Sequence, residues 1–253
     1  SVETLGVAVG GIAGLLIVNV LPKDQYAAYT FLVACMTLIL GVSDLGLAHC
    51  TMPIVGQRAN EQPWVVGVCH QVFRKRWVLL GLGLVVVGPY WYFSSQQHGW
   101  SGAAYLVASL LMVAVVLLAL REHYASTVLL ILSQIGTLNR IAVASHSVRI
   151  AFVGVVLLLP STSWSMVGIV AATAAASFVS VLLYRKAFRT QQIVDAHLDA
   201  GTSKKVDADI LRIAKPLVLP GVFYQVQGVI TVFLVSLFGT ASMLAEVGAF
   251  GRL

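Results

Sequence analysis

Residues 77–93 read WVLLGLGLVVVGPYWYF, and residues 101–120 read SGAAYLVASLLMVAVVLLAL. Each stretch lacks charge and approaches the roughly 20 residues that an α-helix needs to cross the hydrocarbon core of a bilayer. The runs over 5–21 and 26–42 have the same character. All four are continuously apolar and do not alternate every second residue, which favours membrane-spanning helices over the strands of a membrane β-barrel.

The composition of the whole chain agrees with these runs. Of its 253 residues, 58% are hydrophobic and only 10% are charged, and the mean hydropathy is +0.90. Water-soluble domains are nearer to half apolar and a quarter charged. The sequence therefore excludes an ordinary water-soluble enzyme and predicts an all-α polytopic membrane protein.

The formal charge of +6 is distributed unevenly along the chain. Basic residues cluster over 74–76, 185–189 and 204–215, whereas the connectors 94–100 and 161–165 carry none. This asymmetry follows the positive-inside rule, so the basic clusters are predicted to be cytoplasmic and the two uncharged connectors external. The positive charge is then explained by the orientation of the chain in the membrane, and no nucleic-acid partner is expected. Three cysteines are interpreted as free thiols: Cys35, Cys50 and Cys69.

The runs and the charge asymmetry together predict a topology with a cytoplasmic N-terminus. The first run is interpreted as a retained helix because it lacks a basic leader and its successors also span. Connectors 43–76 and 185–209 are expected on the cytoplasmic side. The predicted spans are 5–21, 26–42, 77–93, 101–120, 140–159, 166–184, and a seventh entered through 215–221 and ending near residue 238.

The uncharged segment 124–139 does not fit this series as a span of its own. Such a span would place the basic loop 185–209 outside, against the positive-inside rule. We therefore predict that the fourth span ends at the cytoplasmic residues 121–123, and that 124–139 is either an amphipathic segment or a helix extension at the inner surface. A turn at Pro160 sets the outer end of the fifth span, which puts Arg149 midway through the membrane.

A weak internal similarity aligns residues 25–32 with residues 246–253, each at the entrance to an even-numbered span. Either this similarity arises by chance between apolar segments, or the chain repeats after about six helices, as in many secondary transporters. The second interpretation divides the chain into an N-terminal lobe over 1–190, a cytoplasmic inter-lobe loop over 191–209, and the start of a second lobe over 210–253. The chain is then expected to be a fragment of a 12–14-helix transporter.

Several short motifs resemble those of a known family. They are Ser43-Asp44-Leu45-Gly46-Leu47, the entry at 25–29, Ile210-Leu211-Arg212-Ile213-Ala214-Lys215-Pro216-Leu217, Ser147-Val148-Arg149, Trp164 and Val247-Gly248-Ala249-Phe250. In these the chain resembles polysaccharide flippases, the Wzx-type members of the multidrug/oligosaccharidyl-lipid/polysaccharide exporter superfamily.

The resemblance implies two six-helix lobes around a central cavity in a bacterial inner membrane. It implies transport of an undecaprenyl-diphosphate-linked oligosaccharide between the leaflets, in polysaccharide biosynthesis. The expected partners are the lipid-linked oligosaccharide, membrane lipids and a polysaccharide polymerase. No enzymatic activity and no cofactor are expected.

Arg149 is the strongest candidate for substrate binding. A guanidinium in mid-membrane costs at least about 2.5 kcal/mol to insert and normally faces a bundle interior or a wet cavity. Its planar fork suits bidentate binding of phosphate. His146 shares its helix face. The two side chains either hold the diphosphate of a lipid carrier, or Arg149 is structural and pairs with an acid or caps a neighbouring helix.

Polar residues at the predicted cytoplasmic mouth form a second group of candidates. Asp44 either pairs with an inner-surface arginine as part of a gate or caps the next short helix. Arg58 and the cluster 74–76 either attract anionic groups to the mouth or serve only as topology anchors.

Amides within the predicted spans form a third group. Asn19, Gln225 and Gln227 either line a cavity able to hydrogen-bond sugars or hold helices together. Pro216 and Pro220 mark either a hinge or, for Pro216 especially, a proline tolerated in the first turn of a helix.

Two other functions compete with the flippase. A multidrug or toxin exporter coupled to Na⁺ or H⁺ usually needs a carboxylate inside the membrane, and the predicted spans 5–21, 77–93, 101–120, 140–159 and 166–184 contain none. A membrane-embedded transferase acting on the polyprenyl carrier would need an acid/base or metal-binding pair. The sequence contains no HExxH, CxxC or phosphate-binding glycine loop, so neither a catalytic nor a metal site is predicted.

Overall fold

A computed structural model describes residues 17–18, 21–158, 162, 164–194 and 196–250. The regular structure of these residues is entirely helical, as the sequence predicts. A 3-10 turn at Gly56–Arg58 follows the second helix. The α-helices are α1 (Lys23–Asp44), α2 (Leu47–Val55), α3 (Gln62–Gln97), α4 (Ala103–Ile131), α5 (Ile135–Leu158), α6 (Ser165–Thr190), α7 (Ala200–Phe238) and α8 (Ala241–Phe250).

Within the described residues, five helical stretches are long and apolar enough to cross a membrane. They are Lys23–Arg58, Gln62–Gln97, Ala103–Ile131, Ser165–Thr190 and Ala200–Phe238. This supports the prediction of a membrane protein with several spanning helices. The predicted number of spans and the division into two lobes stay predictions.

The break between α1 and α2 is set by local backbone conformation. Leu45 and Gly46 both adopt left-handed φ angles, 37° and 84°, and the Leu45 N–H donates to the Gly41 carbonyl at 3.1 Å. A left-handed residue just beyond the last turn is a common helix terminator, and glycine adopts it without steric cost. The chain therefore changes direction immediately after Asp44.

Two predicted helix ends are wrong because hydropathy marks the membrane core and not the end of the helix. Helix α3 begins at Gln62, not at 77, so much of the predicted connector 43–76 is helical. Helix α4 continues past residues 121–123 to Ile131. The helix-extending alternative for 124–139 is thus correct as far as Ile131, and a turn with Ser133 at φ 57° leads into α5.

The predicted loop over 185–209 is also too long. Helix α6 ends at Thr190 and α7 begins at Ala200. The Asp199 carboxylate caps α7 by accepting a hydrogen bond from the Thr202 N–H at 3.0 Å. Because α7 starts this early, Pro216 and Pro220 both lie inside it. The interpretation of Pro216 as a first-turn proline is therefore wrong.

Helix α1 is central to the packing of the described helices. It contacts α3, α4, α6, α7 and α8, and its Phe31, Leu32 and Ile39 are fully buried. Helix α6 packs on α4 and α5, and its Gly168 lies against Val156 of α5, as expected for close approach of membrane helices through small residues. Helices α3 and α7 contact each other, and both pack on α1.

Some sequence predictions fall outside the described residues. These are most of the span 5–21 together with Asn19, most of the turn at 160–163, and the last residues of the aligned segment 246–253. The three cysteines are described; all are free, as predicted, and all are buried.

Candidate functional site

A polar cavity of about 420 Å³ lies between α1, α2, α3, α4 and α7. This volume falls in the range of small-molecule binding sites. Because the surrounding helices are apolar, side chains that can carry charge are conspicuous in its wall. The polar lining side chains are Thr37, Asp44, Arg76, His123, Ser126, Thr127 and Gln225.

Asp44 makes both of the contacts that the sequence left as alternatives. Its Oδ1 accepts a hydrogen bond from the Ala48 N–H at 3.0 Å, which caps α2. The same oxygen lies 3.4 Å from Nε of Arg76. The helix break at Leu45 and Gly46 places this carboxylate between the start of α2 and the side of α3. Asp44 is thus both a cap and one half of an ion pair.

Arg76 differs from its two basic neighbours in the sequence. Only 4% of its side chain is exposed, its guanidinium lies over the Phe73 ring at 4.8 Å, and Nη2 is 3.5 Å from His123 Nδ1. Arg74, by contrast, is exposed. Arg76 therefore lies in the wall of the polar cavity, and the roles of the cluster 74–76 as topology anchors or as attractors of anionic groups stay predictions.

Gln225 enters the cavity beside Gly41 of α1. A Cβ added to Gly41 would overlap the end of the Gln225 side chain, so the two residues are in direct contact. The amide also borders a second cavity of about 250 Å³, which shares Gly41, Asp44 and Gln225 with the first and is lined further by His49 and Pro220. Of the three amides predicted within spans, Gln225 is thus placed in a cavity wall.

The extended α4 brings a carboxylate into a helix that was predicted to have none. Glu122 lies within α4 and is partly buried, beside Ser177 and Ser180 of α6. The fourth helix was predicted to end at residues 121–123, which would place Glu122 at its cytoplasmic end. That predicted end is wrong, because α4 continues for nine residues beyond Glu122.

Three other predicted site residues that the structure describes, Arg149, His146 and Gln227, are not among the side chains lining the polar cavity. Arg149 is partly buried in α5, and its Nε is buried without a hydrogen-bond partner among the described residues. His146, on the same helix, is partly buried, and Gln227 is exposed. Neither α5 residue is among the side chains lining the polar cavity. Whether Arg149 binds substrate stays a prediction.

Arg58 forms a local pair at the surface. Its Nη2 lies 2.6 Å from Oε2 of Glu61, and both side chains are about half exposed. The hydrogen bond from Arg58 lowers the pKa of the Glu61 carboxyl below its usual range. The guanidinium also lies 4.3 Å from the centre of the Trp64 ring. Arg58 is therefore held by its sequence neighbours. Its proposed attraction of anionic groups to the cytoplasmic mouth stays a prediction.

Sequence reasoning missed Arg76, His123 and Glu122, although one signal was available. Successive residues on a helix point about 100° apart, so three consecutive cations cannot all face the same environment. Had the helix been extended back from residue 77, one member of the cluster 74–76 would have faced the bundle.

Among the described residues, no group of three or more His, Cys, Asp or Glu side chains is placed to hold a metal ion. Comparison of the chain with known protein families, with curated proteins and with solved structures finds no match.

Proposed function

We propose that this chain forms part of a membrane transporter, with the polar cavity between α1, α3, α4 and α7 as part of its transport pathway. The observation that carries the proposal is the ion pair between the buried Arg76 and the partly buried Asp44 in the wall of that cavity. Ionisable side chains are costly inside a membrane bundle and typically mark a substrate or ion pathway. A purely structural bundle of apolar helices would gain little from such a pair.

For the substrate we propose a lipid-linked oligosaccharide with a diphosphate, carried across a bacterial inner membrane. Two features support an anionic, sugar-bearing substrate. Arg149 has a buried Nε without a hydrogen-bond partner among the described residues, and a guanidinium is the side chain best suited to phosphate. Gln225 offers an amide to the cavity, which suits hydroxyl groups. The resemblance of the short sequence motifs to polysaccharide flippases supports the same substrate class.

Glu122 favours a second candidate, a cation-coupled exporter. Cation coupling usually needs a carboxylate inside the membrane, and the partly buried Glu122 within α4 supports such a role. In such an exporter Glu122 would bind a proton or a sodium ion, and the serines of α6 beside it would contribute oxygen ligands. The two candidates therefore differ in whether Glu122 or Arg149 is indispensable.

The ion pair suggests how the pathway is controlled. Asp44 lies at a helix break on α1, and Arg76 lies on α3, so movement between these helices would separate the charges. A pair held in a low-dielectric wall resists separation unless another charge replaces a partner. An anionic substrate that approaches Arg76 would supply such a replacement. We propose that the pair holds the pathway closed until substrate enters.

The test compares single and double neutral variants in cells that lack their own copy of the protein, measuring surface glycan and protein abundance together. Asp44→Asn or Arg76→Gln alone strands the partner charge, so abundance is expected to fall. The double variant strands none and is expected to restore abundance while glycan stays low. Glu122→Gln is measured in the same cells and is expected to leave glycan unchanged.

The control is the exposed pair Asp209–Arg212, whose atoms are 2.7 Å apart. Neutralising both of these residues is expected to change neither glycan nor abundance. Normal glycan in the Asp44/Arg76 double variant at normal abundance would contradict the gating role. Loss of cation-dependent drug efflux in Glu122→Gln, with glycan unaffected by any variant, would replace the flippase with the exporter.

A further inference from the structure

A small cavity of about 260 Å³ lies between the end of α3 and the start of α4. Four aromatic side chains line it: Trp91, Tyr92, Trp100 and Tyr105. Among the described residues that line this aromatic cavity, none carries a charge. Its volume is below the roughly 300 Å³ at which sites for drug-sized ligands begin. The cavity therefore suits a small ligand or a single headgroup.

The polar atoms between these rings are already paired with one another. The indole N–H of Trp91 donates to the Tyr105 hydroxyl at 3.0 Å. The Ser95 hydroxyl donates to the Trp91 carbonyl at 2.6 Å, so the Tyr105 hydroxyl is the donor in its 2.7 Å contact with Ser95. This network holds the rings in place before any ligand arrives, and such preorganisation favours binding. It also leaves the aromatic rings as the main surface offered to a ligand.

This lining discriminates between classes of small polar ligand. A sugar or a primary ammonium brings several O–H or N–H groups, and the paired atoms of the network leave them without partners, which is costly. An anion is unfavourable against the negative faces of aromatic rings. A quaternary ammonium has no N–H group to satisfy, and its positive charge is attracted by those faces.

We propose that the aromatic cavity binds a trimethylammonium group, as in choline. Several aromatic rings around one site are the usual means by which proteins bind quaternary ammonium ions. The positive-inside rule assigns this end of α3 to the outside, so the group arrives either on a small solute or on the headgroup of a lipid in the outer leaflet. The proposal does not depend on what the protein transports.

The experiment titrates purified protein, in an uncharged polyoxyethylene detergent, with choline and with 3,3-dimethylbutanol. The second compound has the same shape as choline but carries no charge, so the comparison isolates the attraction between the cation and the rings. Choline is expected to bind about fivefold more tightly or better. Tryptophan fluorescence reports binding, because Trp91 and Trp100 line the cavity.

Two variants of neighbouring aromatic residues test the site itself. Tyr92 lines the cavity and is 62% exposed, so Tyr92→Leu removes a ring without disturbing the core. It is expected to weaken choline binding about two- to fivefold and to leave 3,3-dimethylbutanol binding unchanged. Phe93, the matched control, is 70% exposed and is not among the lining residues. Phe93→Leu is expected to change neither titration.

A third titration identifies the source of the trimethylammonium group. It uses dihexanoylphosphatidylcholine below its critical micelle concentration. Tighter binding of this lipid than of choline, lost with dihexanoylphosphatidylglycerol, would support a lipid headgroup as the occupant. Binding of choline at least as tight as that of the lipid would support a small solute.

Three outcomes would overturn the proposal. One is that 3,3-dimethylbutanol binds the unaltered protein as tightly as choline, which would make the cavity merely apolar. Another is unchanged choline affinity in Tyr92→Leu. The third is an equal loss in Tyr92→Leu and Phe93→Leu, which would assign both rings to a general role at the membrane boundary.

Discussion

At the scale of single residues, the cluster Arg74-Lys75-Arg76 shows how far neighbouring positions diverge. Arg74 is exposed, Lys75 pairs with Asp207, and Arg76 is buried beside Asp44. The three side chains leave the helix in different directions, so each meets a different neighbour. Identical charge in the sequence therefore corresponds to three separate roles.

Arg149 gives the first prediction at this scale. If it binds a diphosphate, Arg149→Ala should abolish surface glycan while the protein still accumulates, because the cation that holds the substrate is lost. Arg149→Lys should retain part of the activity, since the charge survives without the bidentate fork. Glycan and abundance are measured in the same cells. Arg140→Ala, at an exposed position nearer the start of α5, is the control and should have no effect.

A scaffolding role for Arg149 predicts a different pattern. Its removal would strand whatever group it contacts and lower the amount of folded protein. Normal glycan at normal abundance in Arg149→Ala would remove this residue from the substrate site.

Gly46 gives the second residue-scale prediction. Its φ is 84°, and a Cβ added there would lie 2.7 Å from the Leu217 Cβ. Gly46→Ala is expected to destabilise the protein by about 1–3 kcal/mol, because alanine is strained at this φ and α7 must move away. The midpoint of thermal unfolding in detergent measures the loss. Gly81→Ala, on α3 with no heavy atom within 4 Å of the added Cβ, should not lower the midpoint; equal losses at both positions would contradict the explanation.

At the scale of elements, α3 and α7 are joined at both ends. At one end the Gln71 amide donates to Ser203 at 2.9 Å, and Lys75 pairs with Asp207. At the other end the Tyr90 hydroxyl donates to the Phe233 carbonyl at 3.2 Å and also contacts Ser236. The residue numbers of the contacting positions on α7 increase as those on α3 do, so the two helices run parallel.

The Tyr90 hydroxyl provides the prediction at this scale. Tyr90→Phe removes a hydrogen bond between α3 and α7 while keeping the ring that packs on Phe31. A loss of about 1 kcal/mol in the free energy of unfolding is expected. Tyr92→Phe is the matched control, since Tyr92 is 62% exposed, and it should leave stability unchanged. An unchanged midpoint of unfolding in Tyr90→Phe would show that the hydroxyl does not hold the two helices together.

At the scale of the whole molecule, the order of helices places Gln97 and Gln191 at opposite ends of the bundle. Gln97 lies at the end of α3 and donates to Leu237 at the end of α7. Gln191 follows α6 and donates to Gln134, in the turn between α4 and α5. The positive-inside rule assigns the first end to the outside and the second to the cytoplasm.

A labelling experiment tests this assignment. A single cysteine at Gln97 should react with an impermeant thiol reagent in intact cells, and one at Gln191 should react only after lysis. The background lacks Cys35, Cys50 and Cys69, which are buried in any case. Labelling of the Gln191→Cys variant with protection of Gln97→Cys in intact cells would reverse the topology.

Much of the architecture can be predicted from the sequence alone. Hydropathy identifies the apolar cores of α1, α3, α4 and α6, because lipid requires long runs of apolar side chains. It does not identify where these helices end, since a helix can continue into the polar boundary once its backbone hydrogen bonds are satisfied. For this reason α3 starts 15 residues before its predicted start at 77, and α7 contains both prolines.

Part of the candidate site could be predicted from the sequence. Asp44 and Gln225 could be selected because polar groups in apolar segments are costly and therefore informative. It could not be predicted that these two residues meet Arg76 and His123 in one cavity. The four residues come from four helices and are separated by up to 181 positions. Such proximity depends on how the helices pack.

The sequence by itself thus determined the helical, membrane-spanning class of the protein and the positions of its rare charged residues. Only the tertiary structure decided which of those charges are buried, paired or free. The physical reason is that bilayer insertion responds to the local sum of side-chain hydropathies along the chain. Pairing responds instead to distances of a few ångströms between helices, as for Asp44 and Arg76 at 3.4 Å, and these distances are set by close packing across the whole bundle.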